Sequence, residues 1–559
     1  VGRDIVHTQP GNQIGEQIDA HRADDEPLAW PLDRPARARA VARATRPVLP
    51  EVHRAIAAQN ATLAPSAARD AHIAALGRGA AAVVTGQQVG LFLGPLYTIY
   101  KAASAVALAR SLAAETGAPV VPVFWLQTED HDLPEIASYG VPGASACETI
   151  VAPIDADNRI SIAHRTLPPE IEGCLARLEA ALGEGNQAQA HVERLRRHYR
   201  AGVPWAAAFA GVLAELFAPE GLVMLDPRDP ALAAIAAPIH ARALDDAAPI
   251  AAAMVARCGE LERAGSPVPV HVRPGAPLSF YHPDGALGPR VRLEPAGADA
   301  FAEVGSGRLH PRDALHAALR DDPRRFSTSA LLRPILQDTL LPTVAYVGGP
   351  SEVAYFAQLG PVYRAFGRTP PLAVPRARFR ITDARTRKLL ARLGLSPRDV
   401  ELPEAELLAR LRARANPAVA DVADVGDAPD APDVGDAAEI ARRLIDPFVA
   451  AHGALAATLG DAGPQIARAL ARTRASVERS IGKLAGKIER ARLYADAERV
   501  DAIRRLRSLM APDGAPQERR LGLAGLAARL GDRHVIERVL EAIDRSDHPF
   551  DGSLQELAA

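Results

Sequence analysis

The sequence predicts an α/β fold built on a doubly wound parallel sheet, with a long inserted region and a helical C-terminal part, and three observations carry that prediction. The run AAAVVTGQQ (80–88) is short, apolar and β-prone, a helical run then closes at Gly117, and PVVPVFWLQ is a second buried run. Together they form one β-loop-α-β unit. A third such run, LLPTVAYVGG, starts near 340 and feeds the helical stretch SEVAYFAQLGPVYRAFG. Further on, Ile466, Leu470, Thr473, Val477, Ile481, Leu484 and Ile488 recur in steps of three and four, with Arg and Glu between them. That is a long amphipathic helix whose stripe needs a partner, in a coiled coil or a packed hairpin.

Composition narrows the function. At 559 residues and 48% hydrophobic content the chain can bury a substantial core. Lys+Arg 65 against Asp+Glu 67 leaves a formal charge of -2, so no basic field exists to hold nucleic acid or an anionic membrane, and a small-molecule role is favoured. Cys147, Cys174 and Cys258 form no zinc or CxxC spacing, which suits reduced thiols in the cytoplasm. The first 30 residues carry no secretory pattern, and no uncharged apolar run reaches membrane length, so a cytoplasmic protein is expected. Arginine is the general-purpose cation here; the only lysines are Lys101, Lys388, Lys483 and Lys487, which makes each a candidate for a place that needs a compact ammonium.

In order along the chain, residues 1–76 read as an N-terminal helical layer, with Val41, Val48, Val52, Ile56 and Leu63 at helical spacing and breaks at Pro47, Pro50 and Pro65. Residues 77–140 hold the first half of the sheet core. Residues 141–325 form the inserted connecting region, with helical patches and strand-like pieces at GLVMLD, PVPVHVR and LSFYH. The second half of the core occupies 326–400. The acidic, low-complexity DVGDAPDAPDVGDA makes 401–450 a linker. The amphipathic helices fill 451–515 and stop at Pro512–Gly514, and 516–559 is a helical tail.

Loops that follow the carboxyl ends of parallel strands are where open α/β sheets bind ligands. In TGQQVGLFLGPLYTIYK, Gly86, Gly90 and Gly94 permit close backbone approach, and the helix starting near Pro95 offers free N–H groups. With Gln87, Gln88 and Tyr97 it is a candidate cradle for phosphate or carboxylate; a tight strand-to-helix turn is the alternative. It is neither a P-loop nor a dinucleotide fingerprint. Lys101 lies within two turns of the helix start and can reach the same place.

The second loop concentrates Glu129, Asp130, His131 and Asp132 behind a strand: a base, a carboxylate for an ammonium, and an imidazole. Alternatively Asp132 caps a turn and the others are solvated, and no metal site is assigned. In the third loop, GGPSEVAY, Gly348 and Gly349 follow a strand and Glu352 and Tyr355 sit on the first turn of a helix. Upstream, Arg333 and Gln337 stand one turn apart; Arg333 suits bidentate bonding to an anion or a domain-tying salt bridge. Tyr281, His282 and Arg290 are weaker candidates on a hairpin with a DG turn. Cys147 lacks an activating partner.

At these loops a resemblance becomes visible. TGQQVGLFLGPLYTIYKA, FWLQTEDHD, FSTSALLRPILQDTLLPTVAYVGGPSEVAYFAQL and the late RSLMAPDGAPQER are similar, in order, to signatures of the cysteine-adding enzymes of bacillithiol biosynthesis, the BshC family. The resemblance implies a Rossmann-like, nucleotidylyltransferase-like core with inserted connecting segments and a C-terminal α-helical coiled coil that makes a homodimer. It implies a ligase that joins L-cysteine to the amine of glucosaminyl malate. The chain departs from the family in residues 1 to about 50, in the acidic linker, and in PQER where LQER is usual.

Amide formation from a free carboxylate needs activation, for which an acyl-adenylate or acyl-phosphate would serve; the sequence leaves the cofactor open, ATP with magnesium being one candidate. The expected roles are these: the Gly86 to Gly94 loop and Lys101 hold phosphate or carboxylate, and Glu129 or His131 takes a proton from the attacking amine. Glu352 and Tyr355 orient an ammonium or sugar hydroxyl, and Arg333 grips malate or phosphate. A nucleotidylyltransferase acting on another metabolite and a non-catalytic coiled-coil interaction protein are the rival readings.

Overall fold

The computed structural model describes residues 33–154, 159–415, 437–459 and 463–559. Residues 1–32 of the expected helical layer and nearly all of the acidic stretch lie outside the described residues. The chain divides into two compact units, one made of residues up to 142, 147–383 and 516–559, the other of 143–146 and 384–515.

The first unit is organised by five parallel strands: β1 (Ala81–Gln87), β2 (Val120–Leu126), β3 (Val223–Leu225), β4 (Thr343–Gly348) and β5 (Leu372–Pro375). Their spatial order is β5-β4-β1-β2-β3. Val84 pairs with Val123 of β2 and with Tyr346 of β4, which fixes the register across the centre. Successive side chains of each strand enter different cores: Val83, Phe124 and Val347 enter one, Val84, Trp125 and Tyr346 the other. With both faces covered, the strands must be apolar throughout, which is why three of them stood out as continuous runs.

The helix Tyr97–Thr116 covers one face and ends on Gly117, whose φ of 71° suits the left-handed cap expected there. The helices Pro50–Ala61 and Ala67–Gly77 pack on the other face through Val52, Ile56 and Leu76. Two details differ from the sequence reading. The strand β3, part of the strand-like piece GLVMLD, lies inside the stretch expected to be connecting but joins the edge of the main sheet beside β2; a strand's own pattern does not say which sheet it joins. The expected helical tail ends in a strand, Leu554–Ala558, paired in parallel with Arg378–Thr382.

A small antiparallel sheet completes this unit, in the order Phe326–Thr328, Ser279–Tyr281, Val291–Pro295, Ala300–Glu303, Leu309–Pro311. In the second unit, Leu390, Leu407, Leu411, Val500, Ile503, Leu506 and Met510 form a core. Helices Ala437–Leu459 and Pro464–Leu493 lie side by side as a hairpin, with the His452 ring 2.9 Å from the Leu470 carbonyl oxygen. The helix Glu404–Ala415 and the start of Ala437–Leu459 occupy residues expected to be linker, because the acidic composition between them masked their shorter periodicity.

Candidate active site

The strand order reverses between β1 and β4, and the loops leaving their carboxyl ends diverge there. A cavity of about 780 Å³ opens at this point. Its walls come from the loops after β1, β2 and β4 and from the small antiparallel sheet. Gln87, Gln88, Tyr97 and Lys101 line one side, Glu129 to Asp132 the next, and Arg333, Gly349, Glu352 and Tyr355 the third. Gly86, Gly94, Gln337 and Gly348 do not line this cavity.

The first loop is built differently from the expected cradle. A Cβ at Gly86 would come within 2.8 Å of the Trp125 carbonyl oxygen, and one at Gly94 within 2.6 Å of the Tyr139 ring. These glycines admit protein, not ligand. The helix start is likewise occupied, since the N–H groups of Leu96, Thr98 and Ile99 bond to the carbonyls of Leu521, Pro95 and Leu96. Phe92 and Leu93 turn the chain with φ of 50° and 63°, uncommon for such side chains.

Lys101 is buried, and its three ammonium hydrogens have three acceptors: the Gly86 carbonyl at 2.9 Å, Gln87 Oε1 at 2.8 Å and the Glu352 carboxylate. Burial pushes the lysine pKa down while Glu352 pulls it up. Glu352 also accepts from the Tyr346 hydroxyl at 2.7 Å and the Gly349 N–H at 2.8 Å. Burial would raise its pKa, but Lys101 and these donors hold it below the usual value.

Behind it, Arg333 donates to Gln337 Oε1 at 2.8 Å and to the Tyr355 hydroxyl at 2.5 Å, and stacks over the Tyr346 ring at 4.6 Å. Gln337 is thus a support to the arginine, one layer behind the cavity wall.

In the second loop, Glu129 is buried and accepts from both the backbone N–H and the hydroxyl of Thr328. Asp130 accepts from Gln88 Nε2 at 2.7 Å, the His131 N–H at 2.8 Å and Arg290 at 3.2 Å. Burial alone would raise its pKa; Arg290, then Gln88 and the His131 N–H, bring it below the ordinary carboxylate value. His131 is partly exposed, its Nδ1 3.5 Å from Asp130 Oδ1. Asp132 is exposed on the same rim. Nearby Glu135 has its pKa raised, first by desolvation at the wall and then by Asp132 and Asp130.

Arg290, a weaker candidate by sequence, is a clamp: it donates to the Glu129 and Thr328 carbonyls at 2.7 and 3.0 Å and stacks on Phe280 at 3.8 Å. His282 stands outside the cavity, bonded to Gly288 and Ser327, and Tyr281 binds Arg325. Among the lining residues that sequence reasoning did not single out are Arg376 and Arg519, the latter within the quoted PQER motif. Arg376 follows β5 in PRAR, a further strand-end loop, and that placement was the available signal. Among the described residues, Gln88 Oε1 and Arg376 Nε are buried without a hydrogen-bond partner.

Comparison with known proteins gives a consistent picture. Residues 36–377 match the family model described as bacillithiol biosynthesis BshC, N-terminal Rossmann-like domain. The chain is similar to proteins named "Putative cysteine ligase BshC": 41% identical to that of Koribacter versatilis, over 63% of this chain and 64% of the relative. Identity is 38% with that of Salinibacter ruber, over 57% of each, and 33% with that of Solibacter usitatus, over 81% of this chain and 80% of the relative. The first two matches thus span less than two thirds of the relatives' length.

Proposed function

The chain belongs to the BshC family of bacillithiol biosynthesis, and from that premise we propose that it is a cysteine ligase, joining the carboxyl of L-cysteine to the amine of glucosaminyl malate in an amide bond. The observation that carries this reading is the strand-end cavity itself, which sets an acidic rim beside a wall of arginines. An amino acid's ammonium and an acceptor's carboxylates match that division.

Asp130, kept ionised by Arg290, receives a substrate ammonium. His131, partly exposed beside it, takes the proton of the attacking amine. Glu129 spends its carboxylate on Thr328 and so fixes the loop that presents His131, while Lys101 and Glu352 fix the opposite wall. Tyr355 lines the same wall with its hydroxyl held by Arg333.

Activation of the cysteine carboxyl needs a leaving group, which ATP with magnesium would supply. Among the described residues no group of three or more His, Cys, Asp and Glu could hold a metal ion.

Leu444, Leu455, Leu459, Ile466 and Leu484 are exposed on the helical hairpin and support a homodimer formed through it. Light scattering of the chain and of Leu484→Glu tests this; a monomer in both would refute it. A cytoplasmic location fits three free cysteines. Among the described residues no helix is long and apolar enough to cross a membrane.

The test of the ligase is mass spectrometry after incubation with L-cysteine and glucosaminyl malate, with and without ATP and magnesium. The amide product is expected only in the complete mixture. Its absence from every mixture would overturn the reading.

A further inference from the structure

Arg376 is 2% exposed, yet only one of its three guanidinium nitrogens is spent on protein. Nη1 donates to Glu518 Oε2 at 2.7 Å and to the Ala377 carbonyl at 3.2 Å. Nε is buried without a partner, and Nη2 makes no hydrogen bond among the described residues. Those two nitrogens share one edge of the planar group, the edge that pairs with two oxygens of a carboxylate or phosphate.

The surroundings direct that edge to the cavity. Arg376 lines it beside Gly349, where a Cβ would stand 3.9 Å from Nε and 3.5 Å from Glu352; glycine leaves the approach open. Two nearby carboxylates are already committed, Glu352 to Lys101 and Glu518 to both Arg376 and Arg378, while Glu135 stands on the same cavity wall. Arg519, next to Glu518 in the chain, is exposed, lines the same cavity and has no ion-pair partner among the described residues. The Tyr97 ring lies below, its centroid 5.6 Å from the Arg376 guanidinium. A buried arginine held by one nitrogen, with its two-donor edge unspent, is a preformed half of an anion site.

We propose that the free edge of Arg376, together with Arg519, is the anion subsite of this cavity and takes the malyl carboxylates of the acceptor. The assignment to malate rests on the ligase reading; the subsite itself requires only an oxyanion, and phosphate presents the same pair of oxygens.

Isothermal titration of the full chain with L-malate, and separately with inorganic phosphate, tests it without turnover. Malate is expected to bind, tenfold or more weakly to Arg376→Lys, which keeps the charge but loses the two-donor edge, and severalfold more weakly to Arg519→Ala. Phosphate binding with that sensitivity, and malate binding without it, would overturn the malyl assignment in favour of a nucleotide's phosphate. Equal malate affinity in all three proteins, or no binding of either anion to the unaltered chain, would overturn the subsite. If the melting curve shows Arg376→Lys unfolded, Arg519→Ala decides alone, because its side chain is exposed. Intact, sensitive malate binding with no amide product in any mixture would remove the ligase reading and leave the subsite standing.

Discussion

Lys101 and Glu352 form an ion pair across the point where the sheet reverses direction, one residue on the helix after β1 and the other on the helix after β4. The pair is shielded from solvent and each member has further partners, so removing one leaves the other charge uncompensated. Lys101→Met is expected to cost about 3–5 kcal/mol. A double variant with Glu352→Gln should cost less than the sum of the single changes. Chemical denaturation of the four proteins measures this, and strict additivity would show that the two do not act as a pair.

His131 is instead partly exposed, beside Asp130 and edge-on to Phe280. His131→Ala is expected to lower turnover by about 100-fold or more while leaving the melting temperature unchanged. Amide formation measured alongside a melting curve checks both halves. Retained turnover would remove the residue from the proton transfer.

Acid should destabilise the small antiparallel sheet. His240 and His282 are buried, beside Ser279 and Ser327, and burial pushes both pKa values down to about 3. Each is neutral when folded and protonated when unfolded below about 6.5, so the stability present at neutral pH falls as pH drops toward 3. Asp338 works in the other sense. Burial raises its pKa to about 6, and it contributes stability at low pH that is lost as pH rises through that value. Between about pH 4 and 6 it offsets one of the two imidazoles, and the loss should steepen below about pH 4. Thermal melts at half-unit steps report the slope, and Asp338→Asn should make it steep from pH 6 downward.

Gly90 tests what the glycine loop is for. A Cβ there would land on the Gly94 carbonyl oxygen, so the backbone must move to admit it. Gly90→Ala is expected to cost about 1–3 kcal/mol, even with no ligand present. A variant as stable as the parent would return the loop to a ligand-binding role.

The contrast between Gly90 and Arg376 shows how far the sequence was legible. β1, β2 and β4 could be read because a strand covered on both faces is apolar at every position. The three strand-end loops followed from those strands, and the cavity does gather Lys101, His131 and Glu352. What the loops touch was not legible. Spacing marks a glycine as a close approach but cannot say whether a ligand or the Tyr139 ring approaches. Nor can it join Glu129 to Thr328, or Arg376 to Glu518, since each of those bonds closes a loop of more than a hundred residues.

The Glu518 that holds Arg376 also has a place in time. Residues 516–559 emerge from the ribosome only after the whole of 384–515 has been made, while the five strands of the sheet are complete by residue 375. Until then Arg376 has no carboxylate on Nη1, and Arg378–Thr382 has no neighbouring strand. The nascent chain therefore carries an arginine-lined, half-walled cavity through the synthesis of an entire second unit. The support that Glu518 and the strand Leu554–Ala558 supply thus waits on residues translated after the whole of 384–515.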